Sequence, residues 1–286
     1  MDASAAEVID GYRIRSHLQT GQTSQVYEVV ELSSNRHFAM KMLLPETARS
    51  SEHRQMLFHE AEVGKAPTHP NIIRIVKISR SKSLPYFVME YFPSGSLRTR
   101  LLAKDMTFIH EHLHSIVKQT ATGLAFMNAS GWVHRDVKPD NMLVNAAGDV
   151  KLIDFAIAYK IPTGLAKMFH GKKRAMGTRS YMAPEQIRGQ PLDGRTDIYG
   201  FGCTCFELVT GRPPFTGSDA TNLLHKQIAD IPPKPQMFQP NVTDEFAALI
   251  LQMLAKKKEG RPKDFHEVLM AVRNMRVLKT TPKTEQ

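Results

Sequence analysis

In the first ninety residues the apolar positions either alternate with polar ones or gather in β-branched runs. Residues 26–30, 38–43, 72–78 and 86–91 each predict a strand. Ser33, Ser34 and Asn35 supply turn residues between the first two. One helix is expected in this half, from about Glu52 to Lys65, ahead of Pro67 and Pro70. After Pro93, Ser94, Gly95 and Ser96 the period lengthens. Leu113, Ile116, Val117, Thr120, Leu124 and Met127 recur at helical spacing, as do Phe246, Leu249, Ile250, Met253 and Leu254, with Thr243 as the expected cap. Between these helices two short apolar runs, 142–144 and 150–153, flank Asn145, Ala146, Ala147, Gly148 and Asp149, the pattern of a hairpin. The chain therefore reads as α+β, mainly sheet first and mainly helix afterwards, ending in a polar tail from Lys279 that is expected to be mobile.

At 286 residues the chain suits two compact units or one large body of two lobes. Its 42% hydrophobic and 23% charged residues are those of a globular protein with a core of its own. The longest apolar run, 198–209, is too short to span a bilayer and carries Glu207. No basic leader precedes an apolar segment at the N-terminus, so a cytoplasmic location is the expectation. Cys203 and Cys205 stand two apart in an expected helix and point to nearly opposite faces, which argues against a disulfide between them. The net charge of +10 favours acidic partners, but few aromatic residues accompany the basic ones, so nucleic acid is not a supported partner.

The chemistry concentrates in His134, Arg135, Asp136, Val137, Lys138, Pro139, Asp140 and Asn141, with Asp154 and Phe155 following thirteen residues after Asn141. Three acids, an amide and a lysine beside a hairpin can hold divalent cations and accept a proton from an attacking hydroxyl. These residues closely match the catalytic-loop pattern of the eukaryotic-type (Hanks-type) protein kinases, and further motifs of that family follow in order over roughly Gly11 to Val272.

The resemblance implies a two-lobed fold: a small, mainly β N-lobe over 11–89, a hinge at 90–95 and a larger helical C-lobe over 96–272, with ATP between the lobes. Residues 1–10 would be an N-terminal extension and 273–286 a tail. In the family's terms Lys41 grips the α- and β-phosphates and Glu60 pairs with it. Asp136 orients and deprotonates the acceptor hydroxyl, Lys138 stabilises the transferred group, and Asn141 and Asp154 coordinate Mg²⁺. Gly21, Val26, Ala39, Met89, Glu90, Phe92 and Leu143 are the remaining nucleotide-binding positions, Met89 at the back of the adenine pocket and Glu90 to Phe92 in the hinge. Lys138 and Thr178 are similar to the serine/threonine branch. Glu185 and Arg261 resemble that family's buried ion pair, and Asp197 its support for the catalytic loop.

Several positions depart from the family. Gln19 and Ser24 replace two of three usual glycines, leaving Gly21, and weakened nucleotide binding is expected. Ala156 stands where a glycine follows Asp154 and Phe155, restricting the turn there. Gly64 replaces the large apolar residue that stacks on Phe155 and His134, and is expected to leave space and weaken the helix, so that an activating partner or a second copy would hold it in. Arg174 occupies the usual phosphoacceptor position, which leaves Thr163 and Ser180 as autophosphorylation candidates, and Lys167, Lys172 and Lys173 add charge nearby. The expected reaction is Mg²⁺-dependent transfer from ATP to serine or threonine of a protein substrate; the competing reading is a pseudokinase that binds nucleotide and serves as a scaffold.

Two other signals are discounted. His110, Glu111 and His114 fit the spacing of a zinc protease, but no third ligand is identifiable. Lys256, Lys257 and Lys258 end an expected helix, where cations suit the dipole and a solvated run is the expectation.

Overall fold

The computed structural model describes residues 7–65, 68–162, 164 and 176–280. The chain forms two compact units, Met1–Pro93 with Ile153–Ala156, and Ser94–Leu152 with Ile157–Gln286. The division falls inside the segment expected to be a hinge, and the short run carrying Asp154 belongs with the first unit.

The first unit is built on six strands, β1 (Val8–Ile9), β2 (Tyr12–Thr20), β3 (Ser24–Glu31), β4 (His37–Leu43), β5 (Ile75–Ser79) and β6 (Tyr86–Glu90), in the order β1-β2-β3-β4-β6-β5. Two helices join them, α1 (Pro45–Ala48) and α2 (Ser51–Gly64). The period of two divides the sheet's side chains between its faces. Phe38, Met40 and Met42 pack with Ile9, Tyr12, Val29, Tyr86 and Val88 on one side. On the other, Leu43, Ile75 and Phe87 receive Leu57 and Ala61 of α2. Ser50 starts α2 by accepting from the His53 N–H at 3.4 Å. β2 and α1 were not foreseen. From Ser16 on, β2 is exposed on both faces, so its apolar alternation is faint. The strand expected at 72–78 begins at Ile75 instead, because a turn from His69 to Ile72 takes up its first residues.

The second unit contains β7 (Gly95–Ser96), α3 (Leu97–Leu102), α4 (Met106–Ala129), β8 (Trp132–Val133), β9 (Met142–Val144), β10 (Val150–Leu152) and β11 (Tyr159–Lys160). It continues with α5 (Pro184–Ile187), α6 (Gly194–Thr210), α7 (Ala220–Ala229), α8 (Asp244–Met253) and α9 (Phe265–Val272). β9 and β10 pair antiparallel as the hairpin expected around Asn145 to Asp149. The apolar run at 198–209 is the centre of α6, buried throughout among α4 and α8, and among the described residues no helix is long and apolar enough to cross a membrane. Cys203 and Cys205 are free, buried thiols in this helix.

The position of α6 decides the position of the loop at 134–136, and its start is set by Asp193. The Asp193 carboxylate accepts from the Arg195 N–H at 2.9 Å and from Lys258 at 2.9 Å, and pairs with the Arg195 guanidinium at 3.0 Å. Burial would raise its pKa, but these bonds outweigh burial and hold it at about 2. A carboxylate held below its unfolded value stabilises the fold above about pH 4 and loses that contribution as pH falls through 2. Asp193→Ala should therefore lower the unfolding free energy by about 1–2 kcal/mol at pH 7. Denaturant titrations at a series of pH values should show the gap between the two proteins closing toward pH 2; a gap independent of pH would contradict the assignment.

Candidate functional site

Each unit holds a polar cluster of its own. In the first, alternation along β4 puts Lys41 on the face that carries α2. Its ammonium meets Glu60 at 2.8 Å and 2.7 Å, one bond to each carboxylate oxygen, and lies 3.9 Å from Asp154. Burial pulls the Lys41 pKa down, but the Glu60 and Asp154 charges prevail and hold it above the ordinary lysine value. Burial pushes Glu60 up to about 7, with Lys41 pulling against the shift and Asp154 adding to it. Two of the three ammonium hydrogens are used by Glu60, which leaves one for a further acceptor.

The other expected nucleotide positions of this unit lie along the same sheet. Val26 is paired with Lys41, and Ala39 with Met89. Met89 packs against the cluster of Leu57, Ala61, Ile75 and Phe87. Glu90 is fixed to Arg74 by both its backbone N–H, at 2.9 Å, and its carboxylate, at 2.8 Å, and Phe92 is half-buried. Gly21 closes the β2–β3 turn by donating to the Ser24 carbonyl at 2.8 Å. Gln19 sits within β2 opposite Val26, and Ser24 is buried at the start of β3.

Two departures from the family pattern look different once placed. Asp154, not Ala156, takes the left-handed backbone, at φ 66°, and Ala156 stays outside that region, so alanine is unstrained in this turn. The space expected at Gly64 does not exist. A Cβ there would stand 2.6 Å from Ile75 Cδ1 and 3.3 Å from Phe155 Cδ2, because Ile75 fills the volume from β5. The missing-bulk ground for outside support of α2 falls away, since Ile75 fills the volume and α2 is packed on the sheet.

In the second unit the cluster is built around Asp136. Lys138 pairs with Asp136 at 2.6 Å and donates to the Thr178 hydroxyl at 2.6 Å, while the Thr178 N–H donates to Asp136 at 2.8 Å. Asn141 donates through Nδ2 to the Asp136 carbonyl at 2.8 Å and to its carboxylate at 3.1 Å, and Leu143 follows in β9, half-buried. Asp197, 1% exposed in the first turn of α6, accepts from the His134 and Arg135 amides at 2.8 and 2.9 Å and from Asn128 at 3.0 Å. Gly177, at φ 126°, admits the Gln186 amide, which donates to the carbonyls of Arg135 and Met176; a Cβ would stand 2.8 Å from that nitrogen. Arg261 and Glu185 form the expected buried pair, at 2.7 and 2.9 Å.

Sequence reasoning missed a second polar group beside this loop. Arg98 of α3 binds Glu207 at 2.7 Å and Asp140 at 3.1 Å, and Tyr181 hydrogen-bonds both Arg98 and Glu207. The available signal was Glu207 itself, a charge inside an apolar run that needs a cation when buried. The lysine run is also corrected. Lys256 is tied to the Lys226 and Gln227 carbonyls at 3.2 and 2.9 Å, burial pulls its pKa down to about 8, and Lys258 is bonded to Asp193, so the run is not simply solvated. His110 and His114 each meet a backbone carbonyl, of Val209 and Val272, at 3.1 and 3.0 Å, which assigns both rings to helix packing. Thr163, Lys167, Lys172, Lys173, Arg174 and residues 281–286 lie outside the described residues.

The protein kinase domain family matches residues 12–272. The chain is 30% identical over 256 residues to the serine/threonine-protein kinase PknB of Mycobacterium leprae, covering 88% of this chain and 41% of that protein. The same figures hold for PknB of Mycobacterium tuberculosis H37Rv and of Mycolicibacterium smegmatis. The chain thus spans about two fifths of the length of these curated relatives.

The packing at Gly64 yields a direct test. Gly64→Leu should lower the melting temperature, because overpacking costs about 1–3 kcal/mol. Adding Ile75→Ala should recover part of that loss, giving a coupling energy of about 1 kcal/mol in a double-mutant cycle. Strictly additive effects would contradict the packing described.

Proposed function

Because the chain belongs to the protein kinase domain family, we propose that it transfers the γ-phosphate of ATP, with Mg²⁺, to serine and threonine hydroxyls of proteins, itself included. The observation that carries this reading is the Asp136 cluster. One carboxylate is held by Thr178 and Lys138 through both oxygens, beside an asparagine turned by the same carboxylate.

The residues fit the cofactor they would hold. Asn141 commits its nitrogen to Asp136, which leaves Oδ1, a hard oxygen, for a cation. The Asp154 side chain keeps 38% exposure in its left-handed turn, so its carboxylate can reach one as well. Lys41, charged and steadied by Glu60, offers its remaining hydrogen to a phosphate oxygen. Gly21, Val26, Ala39, Met89, Glu90, Phe92 and Leu143 would bind the rest of the nucleotide. When bound, Mg²⁺ neutralises charge on the phosphates as the γ-phosphoryl group moves. Asp136 orients the acceptor hydroxyl and takes up its proton, and Lys138 offsets charge on the transferred group. Two buried free thiols suit a reducing, cytoplasmic setting.

Incubation with ATP and Mg²⁺, followed by mass spectrometry of the protein and of an added acceptor protein, tests the reading. The wild type should yield phosphoserine or phosphothreonine. Asp136→Asn and Asp154→Ala should each lose at least about a hundredfold in rate. Equal incorporation by the wild type and both variants, or a folded wild type that binds ATP and transfers nothing, would overturn it.

A further inference from the structure

α7 is attached to its unit in an unusual way. Of its ten residues the single buried one is polar: Gln227, 0% exposed. A buried primary amide is costly unless its donors and acceptor are met. Here they are met in a directed order. Backbone carbonyls only accept, so the nitrogen of Gln227 must face those of Ser180 and Arg179, at 2.6 and 3.3 Å. Its oxygen then requires a donor, which is the Tyr199 hydroxyl at 2.5 Å. The Tyr199 oxygen in turn accepts from Lys256 at 3.3 Å, and the same ammonium caps α7 through the Lys226 and Gln227 carbonyls. Lys256 is held over the Phe215 ring, 4.1 Å from its centroid. Every bond in the chain points the same way, from a cation to the carbonyls of residues 179 and 180, an arrangement in which each bond polarises the next.

The far end of that chain lies beside the chemistry. Thr178, one residue before Arg179, is bonded through its N–H to Asp136 and through its hydroxyl to Lys138. The short strip from Thr178 to Ser180 is thus fixed to the catalytic loop at one end and to α7 at the other. An apolar residue at 227 would fill the same volume but would not grip those two carbonyls.

We propose that Gln227 is a positioning residue for the acceptor side of the site, fixing the strip at Arg179 and Ser180 against which a serine or threonine substrate lies as it reaches Asp136. The proposal rests on the phosphotransfer reading above and adds that the strip, and not the nucleotide, depends on α7.

Steady-state kinetics of the whole chain, with ATP and dephosphorylated casein varied separately, distinguish the two. Gln227→Met keeps the length of the side chain and removes both ends of the amide; the KM for casein should rise about tenfold while the KM for ATP stays within twofold. Tyr199→Phe leaves Gln227 in place and removes the hydroxyl that orients its amide, together with one acceptor of Lys256, and should shift the casein KM in the same direction, about threefold. Melting curves establish that each variant is folded, and if Gln227→Met is not, Tyr199→Phe decides alone. A purely structural role would lower the melting temperature and leave the casein KM unchanged, and that result in a folded variant overturns the proposal. A wild type that phosphorylates nothing would instead overturn the phosphotransfer reading, and this proposal with it.

Discussion

The second unit depends on one buried carboxylate. Arg135 adopts a left-handed backbone at φ 70°, a conformation that costs a residue with a side chain about 1–2 kcal/mol. Its N–H is taken by Asp197 and its carbonyl by Gln186, so both ends of the strained residue are bonded. A hydrogen bond to a charged group contributes about 1.5–3 kcal/mol, and Asp197 makes two to the loop backbone, at His134 and Arg135. The loop is over-determined, and the strain is held where it turns Asp136 toward Thr178 and Lys138. Asp197 can do this because α6 is buried along its length and Asp193 fixes where it begins.

The first unit solves a different problem, which is to keep a lysine charged away from water. Glu60 and Asp154 prevail over the burial of Lys41, and the placement of α2 that makes this work follows from packing on the sheet. Gly64 is part of that packing, since Ile75 from β5 occupies the volume a larger residue would need. The helix and the strand have exchanged bulk: a small residue on one is matched by a β-branched residue on the other.

The grouping of Asp136, Lys138 and Asn141 was legible because the proposed chemistry needs particular side chains a few residues apart, and such spacing survives in one sequence. The helices at 106–129 and 244–253 were legible because a buried face imposes its period, and the sheet-then-helix order followed. What could not be read depends on partners far away in the chain. The fate of Gly64 turns on Ile75 across the sheet. Arg98 meets Glu207 across 109 positions and Lys256 meets Tyr199 across 57, so neither pairing leaves a local pattern. β2 escaped notice because exposed Arg15, Ser16 and His17 blur its alternation. Spacing places Lys256 after α8, as a helix-end charge, whereas the carbonyls it caps belong to α7.

The central claim is that Asp197 holds the loop at His134 and Arg135 in its shape, and amide hydrogen exchange at those two residues tests it most directly. In the wild type both amides should be protected as strongly as the core of α6. In Asp197→Ala they should exchange at least about tenfold faster while α4 and α8 keep their protection, because a charge-assisted bond is worth more than 1.4 kcal/mol at each site. Unchanged exchange at both amides in a folded variant would show that the loop is held by something else.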